Sequence, residues 1–111
     1  MTEAGTEPEV RDVPPEHRFV VEHDGAVAEL VYQVEPGRLV LVHTEVPDAL
    51  GGRGIGGRLV RAAVERAAAD HLTVVPWCPF VPRWLTDHPD VAATVQVDWD
   101  TPPPELRERG H

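Results

Sequence analysis

Apolar residues alternate with polar ones through three stretches near the start of this chain, and recur at helical spacing in a longer stretch that follows. Residues 17–23 read as a short strand. Asp24-Gly25 is a strong hairpin signal, because both positions of a tight two-residue turn need positive φ. Residues 26–35 make a second strand, with Ala26, Ala28, Leu30, Tyr32 and Val34 on one face. Pro36-Gly37 marks the next turn, and residues 38–46 make a third strand. The pattern predicts an antiparallel meander. In the third strand simple alternation puts Leu39, Leu41, His43 and Glu45 on one face and Val40, Val42, Thr44 and Val46 on the other.

The period then changes. Over residues 54–70, Ile55, Leu59, Val60, Ala63, Val64 and Ala67 form an apolar stripe, with Arg58, Arg61 and Glu65 on the wet side. Residues 71–75 are a short apolar run, placed for parallel pairing after a helical crossover. Trp77-Cys78-Pro79 ends it. Residues 80–88 suit a short helix if Pro82 lies in its first turn, where a missing N–H costs little. The alternating valines of residues 91–97 predict a last strand. No internal repeat is visible.

Between the meander and the long helix stands Leu50-Gly51-Gly52-Arg53-Gly54-Ile55-Gly56-Gly57. Glycines let backbone N–H groups approach an anion and reach positive φ without steric cost. The first turn of a helix adds unpaired N–H groups and the positive end of a dipole. Together they make a phosphate cradle. A nucleotide P-loop would need Lys-Ser or Lys-Thr after its last glycine, and Arg58-Leu59 stands there instead. Gly52, Gly54 and Gly57 match the dinucleotide spacing G-x-G-x-x-G. That site requires a tight turn directly off a first parallel strand and an acid about 20 residues on. Here a meander and four intervening residues precede the glycines, and the next strand ends in Pro76-Trp77.

A meander, a Gly-x-Gly-Ile-Gly turn, a helix and a short strand together resemble the GNAT superfamily of N-acetyltransferases. Gly54 and Gly56 match the two final small residues of that superfamily's Gln/Arg-x-x-Gly-x-Gly/Ala motif, and Gly51 stands where the Gln or Arg usually does. The blocks His43-Thr44-Glu45-Val46, Gly54-Ile55-Gly56 and Cys78-Pro79-Phe80-Val81 with His88-Pro89, in that order, resemble its minimal single-domain subfamily. The likeness runs over about residues 17–90. It implies an α/β (α+β) GNAT fold: a mixed, mostly antiparallel sheet, a central helix after the glycine loop and a short second helix. It further implies that acetyl-coenzyme A is bound with its pyrophosphate on the loop amides. Pantetheine would slot between strands 38–46 and 71–75, which splay apart. Val46, Gly52, Arg53, Gly54, Ile55, Gly56, Gly57 and Cys78 would then hold the cofactor.

Cys78 follows a strand and precedes a helix start, a setting that favours thiolate. The resemblance places it near the thioester, as acyl acceptor or as proton donor to the leaving thiolate; apart from it, a buried inert cysteine is the favoured reading. His43 is the candidate general base, since histidine titrates near pH 6.5. Glu45 shares its predicted face and would orient it or act as base itself. A strand histidine beside a solvated glutamate is the plain alternative. The expected chemistry is transfer of an acetyl group to an amine by direct attack on the thioester. A noncatalytic coenzyme A-binding or protein-interaction module on the same fold is the alternative. Arg53, Arg58 and Arg61 are candidate phosphate contacts. Trp77, Trp84 and Trp99 are expected to pack, with Trp84 able to wall the acceptor site. No metal site is read from the sequence.

Composition narrows the partners. At 111 residues the chain has room for one domain, read as residues 15–98, between ends 1–14 and 99–111 that are poor in apolar residues and expected to be loose. A net charge of −9 argues against nonspecific binding to nucleic acid or an anionic membrane. It leaves room for a cationic acceptor but is more simply a solubility device; the resemblance implies an amine-bearing acceptor, either a small molecule or a protein lysine or N-terminus. One cysteine allows no internal disulfide and fits a reducing cytoplasm. Neither a secretion signal nor an apolar run of membrane length is visible.

Overall fold

Two tight turns and one long crossover build the sheet. In a computed structural model, which describes residues 9–52 and 54–100, five strands run in the order β1 (Arg11–Val13), β2 (Arg18–His23), β3 (Ala26–Glu35), β4 (Arg38–Glu45) and β5 (Thr73–Pro76). The first four are antiparallel, and β5 pairs parallel to β4. Asp24 and Gly25 both have positive φ, as the two-residue turn requires, and Gly37 has φ 74° after Pro36.

Helix α1 (Ile55–Asp70) carries the crossover and covers one sheet face. Its buried residues are the six of the expected stripe. They meet Phe19, Val21, Ala28, Leu30, Tyr32, Leu39, Leu41 and Val74 in one core. His71, in the left-handed conformation, ends α1 while the Leu72 N–H reaches back to Ala67 O at 2.8 Å. That cap uses residues 71 and 72, so β5 starts at Thr73 rather than at residue 71. Helix α2 (Phe80–Asp87) and the short α3 (Pro89–Ala92) complete the layer. None of the described helices is long and apolar enough to cross a membrane.

Three expectations are corrected. Residues 11–13 are not part of a loose end: β1 pairs with β2. The strand expected over residues 91–97 is absent. Pro89 in the first turn with Asp90 starts α3 instead, and Val97 makes only a single parallel bridge to Val74. Val91 and Val95 are four apart, so they fit a helical turn as well as a strand.

The third correction changes the site. Val31 pairs with His43 but Tyr32 pairs with Leu41, so Val42 is an extra residue in β4. This bulge shifts the alternation by one. Leu39 and Leu41 face α1, and beyond the bulge Thr44, paired with core Leu30, does so as well. His43 and Glu45, paired with Val31 and Glu29, lie on the opposite face.

A partly buried hydrogen-bond group ties β1 and β3 to α1. Tyr32 OH donates to Asp12 Oδ1 at 2.6 Å, and Arg66 Nη1 donates to Tyr32 OH at 2.7 Å and to Asp12 Oδ2 at 3.1 Å. Burial, with the bond to Asp12 second, pushes the Tyr32 phenol up to about 12. A folded value above the ordinary 10 means stability is intact below pH 10 and is lost as pH rises towards 12. All ten basic residues are arginine and Tyr32 is the one tyrosine, so no other side chain of ordinary pKa titrates in that window. Urea unfolding should therefore show about 2 kcal/mol less stability near pH 12 than near pH 9.5. Tyr32→Phe should be about 1 kcal/mol less stable at neutral pH, with a flat profile across the window. An equally steep profile in the variant would refute the assignment.

Candidate active site

The loop from β4 to α1 is anchored at both ends. Val46 packs on the core and Leu50, ending a 3-10 turn, is buried. Gly52 and Gly54 then take φ 79° and 71°, where a side chain would be strained. A Cβ at either would meet nothing within 4 Å, so the backbone there faces open space. Gly54 is the N-cap of α1 and no side chain caps the helix, which leaves the first-turn amides of Ile55, Gly56 and Gly57 to the cavity.

Gly56 and Gly57 are glycine for a different reason. A Cβ on Gly56 would sit 3.0 Å from Phe80 Cζ, and one on Gly57 would collide with Trp84 Nε1. Helix α2 thus lays its aromatic side directly on the start of α1. Between them is a cavity of about 490 Å³, glycine loop on one wall and Phe80, Trp84 and His88 on the other. Among the described residues its charged lining is Arg58 and Arg61, and none of the lining is acidic. The Arg61 guanidinium lies 5.5 Å from the Trp84 ring centroid. Open amides, a helix N-terminus and two arginines fit a pyrophosphate. Arg53 lies outside the described residues.

Next to this cavity the sheet opens. Pairing of β4 with β5 runs from Arg38–Thr73 to Leu41–Pro76 and stops. The Cys78 N–H then donates to Leu41 O at 2.9 Å, while β4 continues through Glu45. The pairing therefore ends next to the bulge. Cys78 is 4% exposed and belongs to the core on the α1 side; its Sγ–H donates to Thr44 Oγ1 at 3.3 Å.

His43 is not beside Cys78. The bulge sends it to the other face, where its side chain is 57% exposed and Nε2 lies 3.6 Å from Glu45 Oε1. Glu29, directly across from Glu45, is held by Arg18 Nη1 at 2.8 Å. Arg18 Nε also donates to Glu16 Oε1 at 2.8 Å, and the two hydrogen bonds, to Glu29 first and then to Glu16, hold the guanidinium even more firmly charged than usual. Glu29, His43 and Glu45 bring their donor atoms within 4.8 Å of one another on the solvent side of the sheet. The expected meeting of His43 and Cys78 on one face is therefore corrected, and its cause is one inserted residue.

Sequence reasoning missed Thr44 as the thiol's partner and Phe80 as a cavity wall. The spacing Phe80, Trp84, His88 (i, i+4, i+8) was the available signal for an aromatic ridge on one side of α2 and its cap. Trp84 walls the glycine-loop cavity.

Known proteins with this arrangement are recognisable. A family model described as GCN5-related N-acetyl-transferase matches residues 18–95. The solution structure of a GCN5-like protein from Staphylococcus aureus superposes with a TM-score of 0.65 at 28% identity, covering 86% of this chain and 94% of that one. Protein NATD1 of Gallus gallus and of Mus musculus is each 38% identical over 68 residues, which is 60% of this chain and 60% of theirs. The human protein of that name gives the same identity over 58% of its length. The chain thus aligns with less than two thirds of these relatives. By its family match and its fold, the chain belongs to the GCN5-related N-acetyltransferase family.

Proposed function

We propose that the protein is an N-acetyltransferase that binds acetyl-coenzyme A in the glycine-loop cavity and passes the acetyl group to an amine by direct attack. The observation that carries this reading is the uncapped start of α1 opening into a cavity lined by arginine and free of carboxylates, in a chain of net charge −9. The amides of Gly52, Gly54, Ile55, Gly56 and Gly57 would hold the pyrophosphate, joined by Arg53, Arg58 and Arg61. Val46 and the unpaired edge of β4 would hold pantetheine, leading to Cys78. When bound, the cofactor supplies an acyl group already activated as a thioester.

The chain's own residues divide by face. On the α1 side Cys78 Sγ–H, aligned by Thr44, is the proton donor for a departing thiolate. On the other side His43, next to Glu45, is the proton acceptor for an incoming ammonium, and Glu29 and Glu45 favour a cationic acceptor. The two groups work from opposite sides of the opening in the sheet, so neither needs to touch the other. The acceptor class is an amine-bearing small molecule or a protein lysine or N-terminus, and a reducing cytoplasm suits the unpaired thiol. A second reading, a noncatalytic coenzyme A-binding module, is favoured by one observation. His43 and Cys78 form no ready-made base–thiol pair.

Calorimetry with coenzyme A tests the cavity. Gly54→Val with Gly56→Val should abolish binding, because one substitution strains a positive φ and the other drives into Phe80. Arg61→Gln, which leaves the loop intact, should weaken binding about tenfold. Unchanged affinity in a folded Arg61→Gln protein, together with unchanged affinity in a folded double-valine protein, would move the site elsewhere.

Intact mass after incubation with acetyl-coenzyme A alone tests the role of Cys78. The chain contains no lysine, so the thiol and the N-terminal amine are its reactive acetyl acceptors. Direct transfer predicts no stable acetyl-cysteine, since a poised amine needs no covalent relay. Cys78→Ser should stay within about tenfold of the parent rate, whereas Cys78→Ala should lose on the order of 10²-fold. An acetyl on Cys78 that passes to an acceptor at a competent rate would establish the covalent route instead. Absence of transfer to a panel of polyamines and peptides, with coenzyme A binding intact, would favour the binding module.

A further inference from the structure

His88 stands at the end of α2 away from Cys78, which precedes that helix, and it lines the glycine-loop cavity. Its ring lies 3.9 Å from the Trp84 ring at an interplanar angle of 11°, and Nδ1 is 2.8 Å from Trp84 O. A carbonyl oxygen only accepts, so Nδ1 carries the hydrogen. Nε2 is the ring nitrogen left to the cavity, and among the described residues it has no partner. The imidazole is therefore fixed in position by a stack on one side and a hydrogen bond on its edge, with one nitrogen uncommitted.

The charge around it has one sign on the cavity side. Arg58 and Arg61 of α1 line the same space, and Trp84 lies between the His88 ring and the Arg61 guanidinium's reach. The nearest acids in sequence, Asp87 and Asp90, are exposed and do not line the cavity. Glu9 and Glu65 line an adjoining depression that Arg58 and Arg61 also line, on the side away from His88. An anion seated among Arg58, Arg61 and His88 relieves their mutual repulsion and favours the charged form of a nearby imidazole.

We infer that His88 is a ligand for the cofactor's phosphate groups, donating from Nε2–H as an imidazolium, so that filling the cavity takes up a proton. This rests on the reading of the cavity as the coenzyme A site, and adds to it a binding residue and a pH dependence. Protonation of the imidazole is thereby linked to binding, so affinity is higher at acid pH and falls as pH rises. The Trp84 stack keeps the ring at the cavity wall in both states.

Titration calorimetry with coenzyme A tests it, run from about pH 5.5 to about pH 8 in two buffers of different ionisation enthalpy. The unaltered protein should bind about tenfold more tightly at the acid end and take up protons near neutrality. His88→Gln keeps a donor for Trp84 O but cannot titrate, and its affinity should vary less than about twofold over the range. His88→Arg, a permanent cation, should keep the tighter affinity at the alkaline end. Thermal unfolding checks that both variants are folded. The 3′-phosphate of coenzyme A also titrates near neutrality, so 3′-dephospho-coenzyme A is the second probe. A His88-dependent slope with both probes supports the inference and puts the ring on the pyrophosphate; a slope with coenzyme A alone supports it and puts the ring on the 3′-phosphate. If coenzyme A binds and His88→Gln shows the same slope and proton uptake as the unaltered protein, this inference is wrong while the cavity reading stands. If the unaltered protein binds no coenzyme A at any pH, both fall.

Discussion

The extra residue at Val42 is the constraint on which the site depends. Up to Leu41, β4 is an ordinary interior strand, hydrogen-bonded to β3 on one side and β5 on the other. A bulge bends its strand and increases local twist, so a neighbour that follows β4 before the bulge cannot follow it after. The parallel pairing accordingly ends at Leu41–Pro76. The same inserted residue reverses which side chains face the helices. It brings Thr44 to Cys78 and sends His43 and Glu45 to the far surface. Opening the sheet and sorting the polar residues to its two sides are thus one geometric event.

A second constraint is how closely α2 approaches α1. Phe80 and Trp84 rest where Cβ atoms of Gly56 and Gly57 would be, so side chains at those two positions would push the helices apart. Gly52 and Gly54 serve the backbone instead, through positive φ. The loop therefore contains two kinds of glycine with separate reasons. One pair shapes the chain so that amides converge, and the other lets an aromatic wall stand next to them. The cavity exists because both conditions hold within six residues of sequence.

Legibility in the sequence followed the range of the interactions. Asp24-Gly25, Pro36-Gly37 and the stripe of α1 were readable because turn chemistry and helical periodicity are local. The family was readable because several blocks in order resembled it, and the family match covers residues 18–95. The face of His43 was not readable. A bulge adds one residue with no composition of its own, and Val42 looks like any other strand valine. Residues 91–97 misled for a related reason: Val91 and Val95 satisfy both periods, and Pro89 decided between them. β1 is three residues long and mostly exposed, too short for a pattern to show.

Charge is distributed unevenly over the chain. Nineteen acids stand against ten arginines, yet among the described residues no carboxylate lines the glycine-loop cavity. The acids instead pair at the sheet's other face, where Glu29 and Glu16 hold Arg18, or tie the edge strand to α1, where Asp12 and Asp70 hold Arg66. Arg58 and Arg61 stand on the first two turns of α1, where the helix dipole is already positive and where a cation stabilises the helix least. Basic residues at a helix N-terminus are unfavourable for the isolated helix. At the glycine-loop cavity they stand beside the first-turn amides, and on their other side the same two arginines share a depression with Glu9 and Glu65.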